Sequence, residues 1–207
     1  MIELKSISKV IEKRILFEKL NITFNTGSFN VITGISGSGK STLFNIIGGL
    51  DKEYKGDILV NNNKIKYQQR LKLFDYLFQN YGLVDSESVK YNLKIVAKKS
   101  DEQLYNYLKL VKLNCNLNQK VYTLSGGEQQ RLSIARLLIS NRDYILADEP
   151  TASLDIKNRN YIIDMLIALH KLGKTIILIT HDEAVLNKLK DYNIYMLENS
   201  NLNKITL

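Results

Sequence analysis

The 207-residue sequence carries one cysteine, Cys115, and one proline, Pro150. A lone thiol excludes an internal disulfide, and no Cys/His cluster stands at metal-ligand spacing, so the chain suits a reducing compartment. Cys115 reads as a small core or surface residue. With no proline-rich hinge, internal repeat or low-complexity stretch, a single domain is expected. Long apolar runs are also missing: stretches such as Thr175 to Thr180 fall far short of the roughly 20 residues that cross a bilayer. Met1 to Lys19 mixes Glu, Lys and Arg among its apolar positions and does not read as an export leader. A cytoplasmic location is therefore expected, with any action at the inner face of a membrane routed through a partner. Acidic residues are the scarcer charge, 21 against 29 Lys and Arg, for a net +8. That excess is spread along the chain rather than gathered into a patch, so no nucleic-acid partner is expected.

What is present is a strict order of elements. Ser28 to Thr33 is a β-branched apolar run ending at Gly34, and Lys40 to Leu50 then takes helical spacing. Tyr144 to Asp148 and Lys174 to Thr180 read as two more buried strands, separated by a helix over Asn158 to Leu172 that stops at Gly173. Strands alternating with helices predict a parallel sheet. The residues up to about Asn25 and the segment Gly56 to Tyr67 look instead like a small antiparallel layer. Between about Gly82 and Leu138 the pattern is mostly helical.

The glycine loop sits where the first buried strand meets its helix. Gly34-Ile35-Ser36-Gly37-Ser38-Gly39-Lys40-Ser41 satisfies the Walker A pattern in its required context. Triphosphate binding needs several backbone N–H groups to converge on one anion, and glycines at 34, 37 and 39 permit the necessary conformations. The helix starting near Lys40 adds free N–H groups and its positive dipole end. Lys40 then reaches the β- and γ-phosphates, Ser41 ligates Mg²⁺, and Thr42 contacts the α-phosphate side. Ile145 to Glu149 is an apolar strand ending in two acids that point different ways. Asp148 is expected to hold Mg²⁺ through its water shell and Glu149 to orient or deprotonate the attacking water.

Leu124 to Arg131 reads LSGGEQQR, which resembles the signature motif of ABC ATPases. A Ser-Gly-Gly turn opening a helix offers a hydroxyl, backbone N–H groups and a dipole to an anion. The other motifs stand in the family's order: Gln79 at the Q-loop position, Ala152-Ser153-Leu154-Asp155 as the D-loop, His181 as the switch histidine. The resemblance covers essentially the whole chain. It implies an α/β fold: a P-loop NTPase (RecA-like) core with a parallel sheet over about 1–81 and 139–207, a small antiparallel β layer, and a helical subdomain inserted over about 82–138. It also implies ATP and Mg²⁺ as cofactors, and ATP hydrolysis with Glu149, His181 and Gln79 as catalytic residues, Gln79 also meeting the metal. Two copies would form an ATP sandwich, with Ser125 and Gly127 touching the γ-phosphate held by the other copy. Gly126, Glu128 and Asp155 join the implied nucleotide contacts. Linkage then lets ATP stabilise the dimer and hydrolysis release it.

One departure stands at the amino-terminal side, where the family usually stacks an aromatic on adenine and this sequence places Ile11. An aliphatic side chain covers a base by dispersion without a π-face. Phe17 is expected in the core, and His170 at the surface. Leu77 to Leu93 and Ile145 to Asp155 resemble the subgroup serving macrolide export, lipoprotein release and antimicrobial-peptide export or resistance. That resemblance implies an integral membrane permease as a separate partner, with a peptide or lipopeptide as cargo. A cell-division-type ATPase acting mechanically on a membrane partner shares the same motifs and stays open. Translation ATPases carry two such domains in tandem, and DNA-repair ATPases need long heptad segments missing here.

Overall fold

The computed structural model describes residues 1–152 and 154–206; Ser153 of the expected D-loop, and Leu207, lie outside the described residues. A four-stranded antiparallel sheet comes first in the chain. Strands β1 (Ile2–Ile11) and β2 (Arg14–Phe24) form a hairpin, and β4 (Lys55–Val60) and β5 (Asn63–Lys64) extend it in the order β2-β1-β4-β5. Between them the chain contributes β3 (Phe29–Thr33) and α1 (Lys40–Gly48) to the second layer. That layer is a six-stranded sheet in the order β10-β9-β3-β8-β7-β6, built from β6 (Phe74–Leu77), β7 (Tyr144–Asp148), β8 (Thr175–Ile179), β9 (Asn193–Glu198) and β10 (Asn201–Ile205). All neighbours pair in parallel except β10, which folds back antiparallel on β9.

Every residue of β3 and β8 is buried, as a parallel strand covered on both faces requires. Period-two alternation then splits the strands between two cores. Val31, Ile145, Ala147, Ile176 and Leu178 face one, with α3 (Val89–Lys94), α4 (Asp101–Leu110), α5 (Gly126–Ser140) and α6 (Ile156–Lys171). Ile32, Leu146, Ile177 and Ile179 face the other, with α1 and the antiparallel sheet. Phe17 lies fully buried in this second core.

Three departures from the sequence reading have local causes. The antiparallel segment ends before Tyr67, which starts a helix, α2 (Tyr67–Leu73). Gln69 Oε1 accepts the Lys66 N–H at 2.8 Å and caps that helix. A carboxy-terminal hairpin, β9–β10, adds an edge to the parallel sheet. His170 is half-buried rather than on the surface, its ring edge-on to Phe29 at 5.7 Å and to Tyr192 at 5.4 Å. Cys115 packs half-buried against the first core, which pushes its thiol up to about 11. No described helix is long and apolar enough to cross a membrane.

Candidate active site

The carboxyl ends of four adjacent parallel strands converge. β3 runs into the glycine loop, β8 into Thr180 and His181, β7 into Asp148 and Glu149, and β6 into Gln79. Crevices at such strand ends are where open α/β sheets bind ligands.

Two loop glycines are required by what lies behind them. Gly34 has φ +143°, and a Cβ there would fall 2.5 Å from the Leu197 carbonyl oxygen of β9. Gly39, with φ +100°, precedes α1, and a Cβ would fall 3.0 Å from the Phe17 ring. No side chain caps α1, so its first N–H groups are free for an anion. Ser36, Gly37 and Ser41 are exposed, while Ser38 and Thr42 are half-buried. Lys40 is buried, and its Nζ donates to the carbonyls of Gly34 (2.8 Å) and Ile35 (2.9 Å). Burial holds its ammonium pKa below the usual lysine value, opposed by the negative charges of Glu149 and Asp148.

Asp148 ends β7 half-buried. Its Oδ1 is enclosed with no hydrogen-bond partner among the described residues. Burial raises the carboxyl pKa; the nearby Ser41 hydroxyl and Lys40 act in the opposite direction, and the Glu149 charge adds to the rise. An orphaned carboxylate oxygen beside a serine hydroxyl is a donor set that fits a small hard cation such as Mg²⁺. Glu149 follows in a left-handed conformation, φ +44°, with its N–H donated to the Ile179 carbonyl at 3.0 Å. Its Oε1 lies 2.9 Å from His181 Nδ1. A cavity of about 440 Å³ collects Gln79, Glu149, Thr180 and His181, and a neighbouring one is lined by Gln79 and Asp148 together.

The Ser125 turn lies elsewhere. Ser125 is the N-cap of α5; its N–H and hydroxyl both donate to Glu128 Oε2 at 2.8 Å, which holds the Glu128 carboxyl below its usual range. Gly126 and Gly127 open the helix. The cavity beside this turn, lined by Ser125, Gly127, Glu128, Arg131 and Asn158 among others, shares no residue with the two that hold Gln79. Asp155 caps α6, and both carboxylate oxygens accept from Asn158, at 2.9 Å from its N–H and 2.6 Å from its Nδ2. Ile11 ends β1 at 42% exposure, open to a ligand but without an aromatic face.

Several supporting residues escaped the sequence reading. Arg14 donates to the Gly37 carbonyl at 3.1 Å. Gln130 donates to the Pro150 carbonyl at 2.7 Å in the interior, tying α5 to the segment after Glu149. Arg136 donates to the Gly82 carbonyl at 2.6 Å and holds the turn after Gln79. Only the charge of Arg136, three helical positions from Ser133 on an otherwise buried helix face, hinted at such a role.

Comparison with known proteins assigns the chain to a family. A family model described as ABC transporter matches residues 17–152. The macrolide export ATP-binding/permease protein MacB of Campylobacter jejuni is 38% identical over 199 residues, covering 89% of this chain and 31% of that protein. The chain thus spans about a third of the length of such relatives. The uncharacterized ABC transporter ATP-binding protein YvrO of Bacillus subtilis is 37% identical over 206 residues, 91% of this chain and 90% of that one. A solved dimeric structure of the ATP-binding cassette MJ0796, in a post-hydrolysis state bound to ADP and Pi, superposes with a TM-score of 0.86 at 32% identity, over 100% of this chain and 99% of that one. The chain belongs to the ABC transporter family and is one of its ATPase cassettes.

Proposed function

We propose that this chain binds Mg-ATP in the glycine loop, closes on a second copy around two nucleotides, and hydrolyses them to drive an integral membrane permease. One observation carries the reading: Gly34, Ile35 and Ser38 of the glycine loop line one cavity, and the Ser125 turn lines another that shares none of its residues. On this reading a phosphate held by both bridges two chains. The dimeric state of the ADP- and Pi-bound relative supports the arrangement.

Within the site, the free N–H groups of α1 and the Lys40 ammonium take the phosphate charge, and Ser41 and Asp148 would hold the cation. Mg²⁺ would neutralise charge on the β- and γ-oxygens. No cluster of three His, Cys, Asp or Glu gathers among the described residues, so such a cation would draw its other ligands from phosphate and water. On this reading Glu149 orients and deprotonates the attacking water; His181, 2.9 Å from its Oε1, and Gln79 line the same cavity and support that role. Asp155 joins the nucleotide site through the partner copy on this reading. The chain would sit in the cytoplasm at the inner face of the membrane through that permease, and the peptide or lipopeptide cargo follows from the subgroup resemblance.

Glu149→Gln tests the proposal. With Mg-ATP it should lose at least about a hundredfold in turnover and run at twice the monomer mass in light scattering, returning to monomer with ADP. A strictly monomeric Glu149→Gln at saturating Mg-ATP rules the sandwich out.

A further inference from the structure

Helices α5 and α6 meet at one side chain that neither motif includes. Asn158, in the first turn of α6, places its amide between a carboxylate and a guanidinium. Its Nδ2 donates to Asp155 Oδ2 at 2.6 Å, and its Oδ1 accepts from Arg131 at 3.0 Å. Arg131 is fixed in turn by a bond to the Lys112 carbonyl at 2.9 Å and by the Tyr161 ring, 4.8 Å from its guanidinium carbon. The same amide packs on the signature turn: a Cβ at Gly127 would fall 2.9 Å from Asn158 Nδ2.

Capping α6 needs only the bond from the Asn158 N–H to Asp155 Oδ1, which any residue but proline supplies. The side chain adds something a cap does not require. Its donor end faces the anion and its acceptor end faces the cation, so each bond polarises the other. Nothing smaller spans both groups, and a carboxylate in its place would confront Asp155.

We propose that Asn158 is a positioning residue, locking the Asp155 segment to the Ser125–Gly127 turn so that both reach the partner copy's nucleotide as one rigid unit. The inference rests on the sandwich reading above and assigns it a coupling element.

The test uses the full chain carrying Glu149→Gln, for the ATP-dependent dimer dissociation constant, and the chain with Glu149 intact, for kcat and KM. Asn158→Ala and Asn158→Asp should each weaken the ATP dimer and lower kcat by about tenfold or more. Binding of a fluorescent ATP analogue to the monomer should stay within about twofold. The urea unfolding midpoints of both variants should stay close to the parent's, which separates a loss of positioning from a general loss of stability. Amide exchange in residues 125–128 should quicken in Asn158→Ala, as a turn released from α6 requires. Wild-type dimerisation by Asn158→Ala, or weakened dimerisation with unchanged exchange in that turn, overturns the positioning role and leaves the sandwich standing. Failure of the Glu149→Gln parent to dimerise overturns both.

Discussion

Asp148 sits where burial works against its own charge. Its folded-state carboxyl ionises less readily than an unfolded one, because enclosure outweighs the help of Ser41 and Lys40. The sign follows directly: as pH rises through the unfolded value of 3.8, the unfolded chain gives up this proton first, and the ligand-free fold loses stability. Asp148→Asn should therefore melt higher than the parent at pH 7 without ligand, with the difference closing as pH falls toward 3.8. Calorimetry at the two pH values checks this; a variant that melts lower at pH 7 contradicts it. Such residues were legible in the sequence because phosphate and cation chemistry admits few side-chain types at few spacings. The need for glycine at 34 was legible only in part, since the atom that excludes a side chain there belongs to Leu197, far along the chain.

Among the elements, α5 carries the most connections. Its first turn is capped by Ser125 and Glu128, its middle holds Pro150 through Gln130, and its last turns hold the Gln79 loop through Arg136. Arg136→Met keeps much of the stem's packing and removes the donor to Gly82. Amide exchange in residues 80–83 should quicken on the order of tenfold, with α1 unchanged. Equal protection in variant and parent would show that the Gln79 turn is held by something else. Helices α1 and α6 and the buried strands β3, β7 and β8 were readable from their apolar patterns, whereas β6, only four residues long, was not. The helix at Tyr67–Leu73 was not, because it is polar and lies at the edge of the core, where the apolar pattern is weak. The β9–β10 hairpin was missed for a related reason: Asn and Lys alternate with only a few apolar residues along its outer strand.

At the scale of the molecule, one sheet divides two cores, and only one of them underlies the nucleotide loop. Phe17 lies in that core and touches the position of Gly39, whereas Leu166, on the buried face of α6, lies in the other. Phe17→Ala and Leu166→Ala should both destabilise the fold by about 3–4 kcal/mol in urea titrations. Only Phe17→Ala should also weaken ATP binding by the protein that remains folded, and equal affinity in the two variants would refute the distinction. This partition was half legible, since alternation along a buried strand tells which residues share a face but not which helices cover it.

Leu197 has a wider consequence. Its carbonyl forms a back-stop for the phosphate loop, and it belongs to a hairpin that follows that loop far along the chain. The anion cradle is thus braced by strands made well after it, so during synthesis the loop takes its final shape only once that hairpin has docked.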